Sequence, residues 1–125
     1  MLAAVHEKRR CAMDPLWKKM TDYFGIPHTA AMVHASESEV RQHLWRKKDA
    51  DNGIRDRAMF LLKIIDCLEG SYNAKGVTRW FYRRRDALSD KSPFMVFCAE
   101  WTPDLPGPVR VMELAEQLVG SGGAT

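Results

Sequence analysis

The sequence has few of the features that mark chemistry. Its three cysteines, Cys11, Cys67 and Cys98, stand far apart with no C-x-x-C pair. That argues against a disulfide framework and a cysteine zinc site, and fits a reducing cytoplasm. The four histidines, His6, His28, His34 and His43, share no metal-ligand spacing, so no metal is expected. No apolar run approaches the roughly 20 residues of a membrane span. There is no glycine-rich phosphate loop, no G-x-S-x-G and no cysteine with a histidine at a recognisable spacing, so neither catalysis nor a cofactor is expected. Charge of one sign is also scarce. Nineteen Lys and Arg face 16 Asp and Glu, a formal +3, so any nucleic-acid surface has to be a local patch. Strand-like alternation is missing as well.

What is present is apolar periodicity. Hydrophobic residues make up 46% of the 125, enough for a core in one domain or in two small helical subdomains that share it. The segment "MLAAVHEKRRCAM" has its charges after a short apolar stretch, which reads as a loose basic arm over 1–12 rather than a signal peptide. Asp14-Pro15 spells an N-cap with proline at the first helical position, followed by Leu16, Met20, Tyr23 and Phe24 on one face and Gly25 as a stop. Ser36 with Glu39 spells a capping box, and Val40 and Leu44 form an inward seam before "DADNG" breaks the helix.

From Ile54 to Leu68, the residues Ala58, Leu61, Leu62, Ile65 and Leu68 keep helical spacing, and Phe60, Ile64 and Cys67 broaden the apolar face. A helix this broadly apolar needs more than one partner, within the chain or in a homodimer. Val77, Trp80 and Phe81 share a face of a shorter helix. Phe94, Val96, Phe97 and Cys98 form a short buried element after Pro93. Pro108 opens a last helix with Val109, Met112, Leu114, Ala115 and Leu118, and the end of "GSGGAT", after Gly120, reads as a flexible tail over 121–125. The expectation is an all-α compact bundle, with a helix-turn-helix-like half over 13–70 and a small helical domain over 71–120.

Two stretches are candidate surfaces. In a helix-turn-helix the second helix lies in the major groove. Ser38, Arg41, Gln42, Trp45, Arg46 and Lys48 lie off the Val40–Leu44 seam. Arg41 and Gln42 suit base edges, and Arg46 and Lys48 suit phosphates. Glu37 and Glu39 sit at the same helix N-terminus and oppose phosphate there. The second stretch is "RWFYRRRD", in which Arg79, Tyr82, Arg83 and Arg84 have the composition of a partner-binding hot spot or of a single-strand stacking site. Beside both readings stands a plainer one: solvated charges on a helical core.

The order of segments resembles a known family. "YFGI", "AAMVHASESEV", "RAMFLLKIIDCLEG", "GVTRWFYRRRDALSDKSPFMVF" and "PVRVMELAEQL" follow one another as in antitoxins of the MbcA/ParS/Xre type. Trp80, Leu88, Pro93 and the run from Val109 to Leu118 carry the likeness. Arg85-Asp86 and Lys91 depart from the usual pattern. The resemblance implies a cytoplasmic prokaryotic or phage antitoxin that binds and blocks a toxin, commonly a RES-domain enzyme that consumes NAD. It also implies autorepression of the operon through duplex DNA. A stand-alone phage or prophage helix-turn-helix regulator is the alternative, and an adaptor without DNA contact is a third.

Overall fold

The structure, a computed structural model, describes residues 12–124, with side chains to residue 119. Residues 1–11 of the expected basic arm, Cys11 among them, and Thr125 lie outside the described residues. Six α-helices and one 3-10 turn make up a mostly helical bundle with no strands among the described residues.

The first helix, α1 (Pro15–Val33), starts as its sequence spells. The Asp14 carboxylate accepts from the backbone N–H of Leu16 at 2.9 Å, and Pro15 occupies the first turn. Gly25 leaves helical dihedrals (φ 77°, ψ 165°) two residues before Pro27, so α1 is two helical halves joined at a kink. The second half ends at His34, which is left-handed at φ 61° and whose N–H returns to the Ala30 carbonyl. A short turn leads into α2 (Glu37–Leu44). There Ser36 and Glu39 make both bonds of the capping box at 3.0 Å. Val40, His43 and Leu44 are buried. The Asp14 N–H donates to the Leu44 carbonyl at 2.8 Å, and Trp17 packs on His43 at 5.1 Å, so α2 is fastened to the start of α1.

The second helix is shorter than its sequence suggests. It ends at Leu44, so Trp45, Arg46 and Lys48 lie beyond it, whereas a helix reaching to about Lys48 was expected. Arg46 adopts φ 60°; its N–H bonds the His43 carbonyl at 3.1 Å, and the Lys47 N–H bonds the Gln42 carbonyl at 2.8 Å. This is a Schellman ending, with arginine where glycine is usual. "DADNG" is likewise not simply a break. Asp51 caps α3 (Asn52–Glu69) by accepting from the Ile54 N–H at 2.9 Å, and Asn52 and Gly53 lie in the first turn.

The α3 helix is central. Ile54, Ala58, Leu61, Ile64, Ile65 and Leu68 are buried, and α1, α4 (Ala74–Tyr82) and α6 (Pro106–Ala124) all pack on it. Its broad apolar face is thus covered largely within the chain. At its end the Glu69 carboxylate accepts from Lys19 Nζ and from the Tyr23 hydroxyl, both at 2.6 Å.

Val77, Trp80 and Phe81 are the buried face of α4. Gly76 lies beneath Tyr72, where an added Cβ would come within 2.9 Å of the Tyr72 Cβ. A 3-10 turn over Asp86–Leu88 carries Leu88 inward, and an antiparallel bridge joins Arg85 to Lys91. Then comes α5 (Pro93–Cys98), capped by the Ser92 hydroxyl. Phe94 and Phe97 face the core. Cys98, three residues after the exposed Met95, shares its outer side and is exposed rather than buried. In α6 the buried positions are Pro108, Val111 and Ala115, with Met112, Leu114 and Leu118 packed against the core as expected, whereas Val109 is exposed rather than inward. The stretch expected as a flexible tail is helical as far as Ala124. No proline follows Pro108, and each glycine weakens a helix by only about 1 kcal/mol.

The sequence reading left out Trp101. It is 1% exposed and donates its indole N–H to the Met32 carbonyl at 2.8 Å, tying the loop before α6 to the end of α1. His34 adds a second tie: its Nε2 lies 3.0 Å and 2.9 Å from the carbonyls of Phe97 and Ala99. The stretches 13–70 and 71–120 share one hydrophobic cluster running from Trp17 to Ala115.

Candidate functional site

The α2 surface presents Ser38, Arg41, Gln42 and Trp45 at i, i+3, i+4 and i+7, one face of a helix and the residue that closes it. All four are exposed, and so are Arg46 and Lys48 in the turn that follows. The structure brings the six together because Val40 and Leu44 are fixed inward. Trp45 is 46% exposed, a large apolar surface with no core role. Lys48 has a second task, since its carbonyl accepts from His43 Nδ1 at 2.9 Å and shapes the turn.

Electrostatics temper this face. Arg41 lies 3.6 Å from Glu37. From Glu37 to Asp51 the cations Arg41, Arg46, Lys47 and Lys48 meet the anions Glu37, Glu39, Asp49 and Asp51, so 4 − 4 = 0. Glu39 is committed locally: the Ser36 backbone N–H, then its hydroxyl, hold the carboxyl below the usual range.

The "RWFYRRRD" stretch separates into inner and outer residues. Trp80 and Phe81 are core. Tyr82 is half-buried with its hydroxyl 2.6 Å from His28 Nδ1 and its ring 5.0 Å from Phe94, and burial pushes its phenol up. Arg79 and Arg83 are exposed. Arg84 is turned toward Asp90 at 3.9 Å. Arg85 folds back over Trp80, with its guanidinium 4.6 Å from the ring centroid and Nη2 donating to the Trp80 carbonyl at 3.2 Å. Burial lowers its pKa. No aromatic ring here is left free as a stacking platform.

A third feature is an open groove of about 730 Å³ between the 3-10 turn, α5 and the start of α6. Leu88 and Trp101 contribute to its lining, and Met95, Leu105 and Val109 are exposed along it. Gly107 lets α6 start close to Val96, 3.1 Å from where its Cβ would sit. Sequence reasoning missed this groove. Its only signal is apolar residues beside prolines, Met95 after Pro93 and Leu105 before Pro106. Of the residues Trp80, Leu88 and Pro93, all buried, Leu88 lines the groove.

No helix among the described residues is long and apolar enough to cross a membrane. No family model matches the sequence, and neither a curated protein nor a solved structure matches it.

Proposed function

We propose that this chain is an antitoxin-type binding protein without enzymatic activity. In this reading α2 and the turn after it contact duplex DNA of the chain's own operon, as a homodimer on paired half-sites. The C-terminal half binds and blocks a cognate toxin of the RES type, with the groove lined by Lys91, Met95 and Val109 as the docking surface. The observation that carries the reading is the pair Trp45–Arg46. An exposed tryptophan and a left-handed arginine both work against the stability of the free chain, and no bond inside the fold accounts for either side chain. Strain retained at a surface turn points to use by a partner. The exposed apolar residues Met95, Leu105 and Val109 support a protein partner in the same way.

The experiment is co-expression with each reading frame adjacent to the gene in its native host. The reading expects one neighbour to be toxic alone, to be neutralised by this chain and to co-purify with it. Met95→Asp or Val109→Asp should abolish the neutralisation without unfolding the protein. A chain that binds its upstream region but rescues no neighbour is instead a stand-alone regulator.

A further inference from the structure

From Ser71 to Arg85 the chain carries Lys75, Arg79, Arg83, Arg84 and Arg85 and no aspartate or glutamate, so 5 − 0 = +5. Two of these cations are engaged within the fold, Arg85 on Trp80 and Arg84 on Asp90. The other three, Lys75, Arg79 and Arg83, are exposed and form no ion pair among the described residues. Asp22 on α1 lines the same shallow hollow as Lys75 and Arg79, but its carboxylate is held by Lys18 at 2.6 Å. Lys75 and Arg79 stand one turn apart and Arg83 closes the helix a turn later, which makes a row about 12 Å long at 1.5 Å rise per residue.

Helix electrostatics account for Arg79 and Arg83 near the C-terminus of α4, where cations are favourable. They do not account for Lys75, in the first turn, where a cation is unfavourable. The neighbouring rings decide what kind of partner fits. A protein hot spot sets arginine beside a desolvated aromatic anchor, and single-strand binding needs an open ring to stack on. Here Trp80 and Phe81 are buried, the Tyr82 hydroxyl is taken by His28, and Tyr72, 40% exposed, has its ring laid over Gly76. What else reaches solvent is a line of cations on long stems, the equipment of phosphate contacts that position without reading sequence. Its three cations stand about 6 Å apart at 1.5 Å rise per residue, a spacing that lets each take one phosphate of a duplex strand.

We propose that Lys75, Arg79 and Arg83 are a second nucleic-acid contact, which holds the sugar-phosphate backbone of duplex DNA independently of base sequence. It does not depend on α2 reading bases. The test is fluorescence anisotropy of the full chain with short labelled duplexes of arbitrary sequence over a salt series. The triple variant Lys75→Ala, Arg79→Ala, Arg83→Ala should lower the slope of log K against log salt by about 2.7, about 0.9 per phosphate, equally on every duplex. Its helical circular dichroism and melting temperature should match the parent. Arg41→Ala, measured in parallel, should change preference among sequences instead, which separates failure of one surface from failure of the other. The proposal is overturned if the folded triple variant keeps the parent slope or if arbitrary duplex is not bound. It is also overturned if poly-L-glutamate at equal charge concentration displaces the duplex, which would assign the row to an acidic protein.

Discussion

Replacing Arg46 by glycine separates what the fold needs from what a partner needs. Arg46 holds φ 60° at the position after the cap of α2, where two backbone bonds, 3.1 Å to His43 and 2.8 Å to Gln42, close the helix. A left-handed L-residue costs roughly 1–2 kcal/mol, and glycine removes that strain. Glycine's greater freedom in the unfolded chain returns about 0.5–1 kcal/mol. The net expectation for Arg46→Gly is a gain of about 0.5–1 kcal/mol. With an unfolding entropy near 2.1 cal/mol/K per residue, a chain of this length should melt about 2–4 °C higher. The same substitution deletes a cation from the turn proposed to contact DNA and should weaken duplex binding about five- to tenfold, roughly 1–1.4 kcal/mol. Thermal melts by circular dichroism and anisotropy titrations of the same preparation read the two effects together. A lower melting temperature would mean that the arginine side chain packs within the fold, and unchanged DNA binding would remove Arg46 from the surface. Either result refutes the reasoning.

Other expectations are simpler. Trp101→Phe removes the 2.8 Å bond to the Met32 carbonyl and leaves a buried acceptor bare; the loss should be about 2–3 kcal/mol, read as a urea midpoint, and a loss under about 0.5 kcal/mol would show that water satisfies that carbonyl. Leu61→Ala and Ile65→Ala, both fully buried on α3, should each cost roughly 2–5 kcal/mol, and less than about 1 kcal/mol at both would make that helix peripheral. Burial, then the bond to Glu69, pushes the Tyr23 phenol up to about 12, above its ordinary 10.0. A raised folded value means stability that is full below pH 10 and lost as pH climbs toward 12; Lys19, raised by its bond to Glu69, loses its contribution in the same direction. Tyr23→Phe should therefore flatten the alkaline loss of stability, and an identical pH profile would mean that the hydroxyl bond is not kept in solution.

The parts of the fold legible in the sequence are those governed by near neighbours. Asp14-Pro15, the Ser36–Glu39 box and the Val77, Trp80, Phe81 face each depend on residues within one or two turns, and each forms as spelled. The end of α2 was hidden because a Schellman motif ordinarily announces itself by glycine, and here an arginine holds the left-handed position. Trp101 was hidden for a different reason. Its partner Met32 lies 69 residues away, and only the assembled bundle brings an unpaired carbonyl at a helix end to an indole N–H. In α6 the expected Met112, Leu114, Ala115 and Leu118 pack on the core, and only Val109 is misplaced, because Val109 and Val111 are equally apolar and packing in the assembled bundle selects Val111. On α2, the inward Val40–Leu44 seam made the exposure of Ser38, Arg41, Gln42 and Trp45 legible. The inward Trp80 and Phe81 were legible from their shared face with Val77, whereas the folding of Arg85 back over Trp80 was not.

The central claim, that the α2 face reads duplex DNA, is tested most directly by titrating the protein against fragments of its own upstream region at low and moderate salt. The account predicts preferential binding to one fragment. Arg41→Ala should cost about 1–3 kcal/mol and relax preference at one base pair. Lys48→Ala should weaken all fragments alike and lower the salt slope by about one. If no upstream fragment is preferred, or if the Arg41 and Lys48 variants bind like the parent, α2 is scaffold and its charges only solvate it.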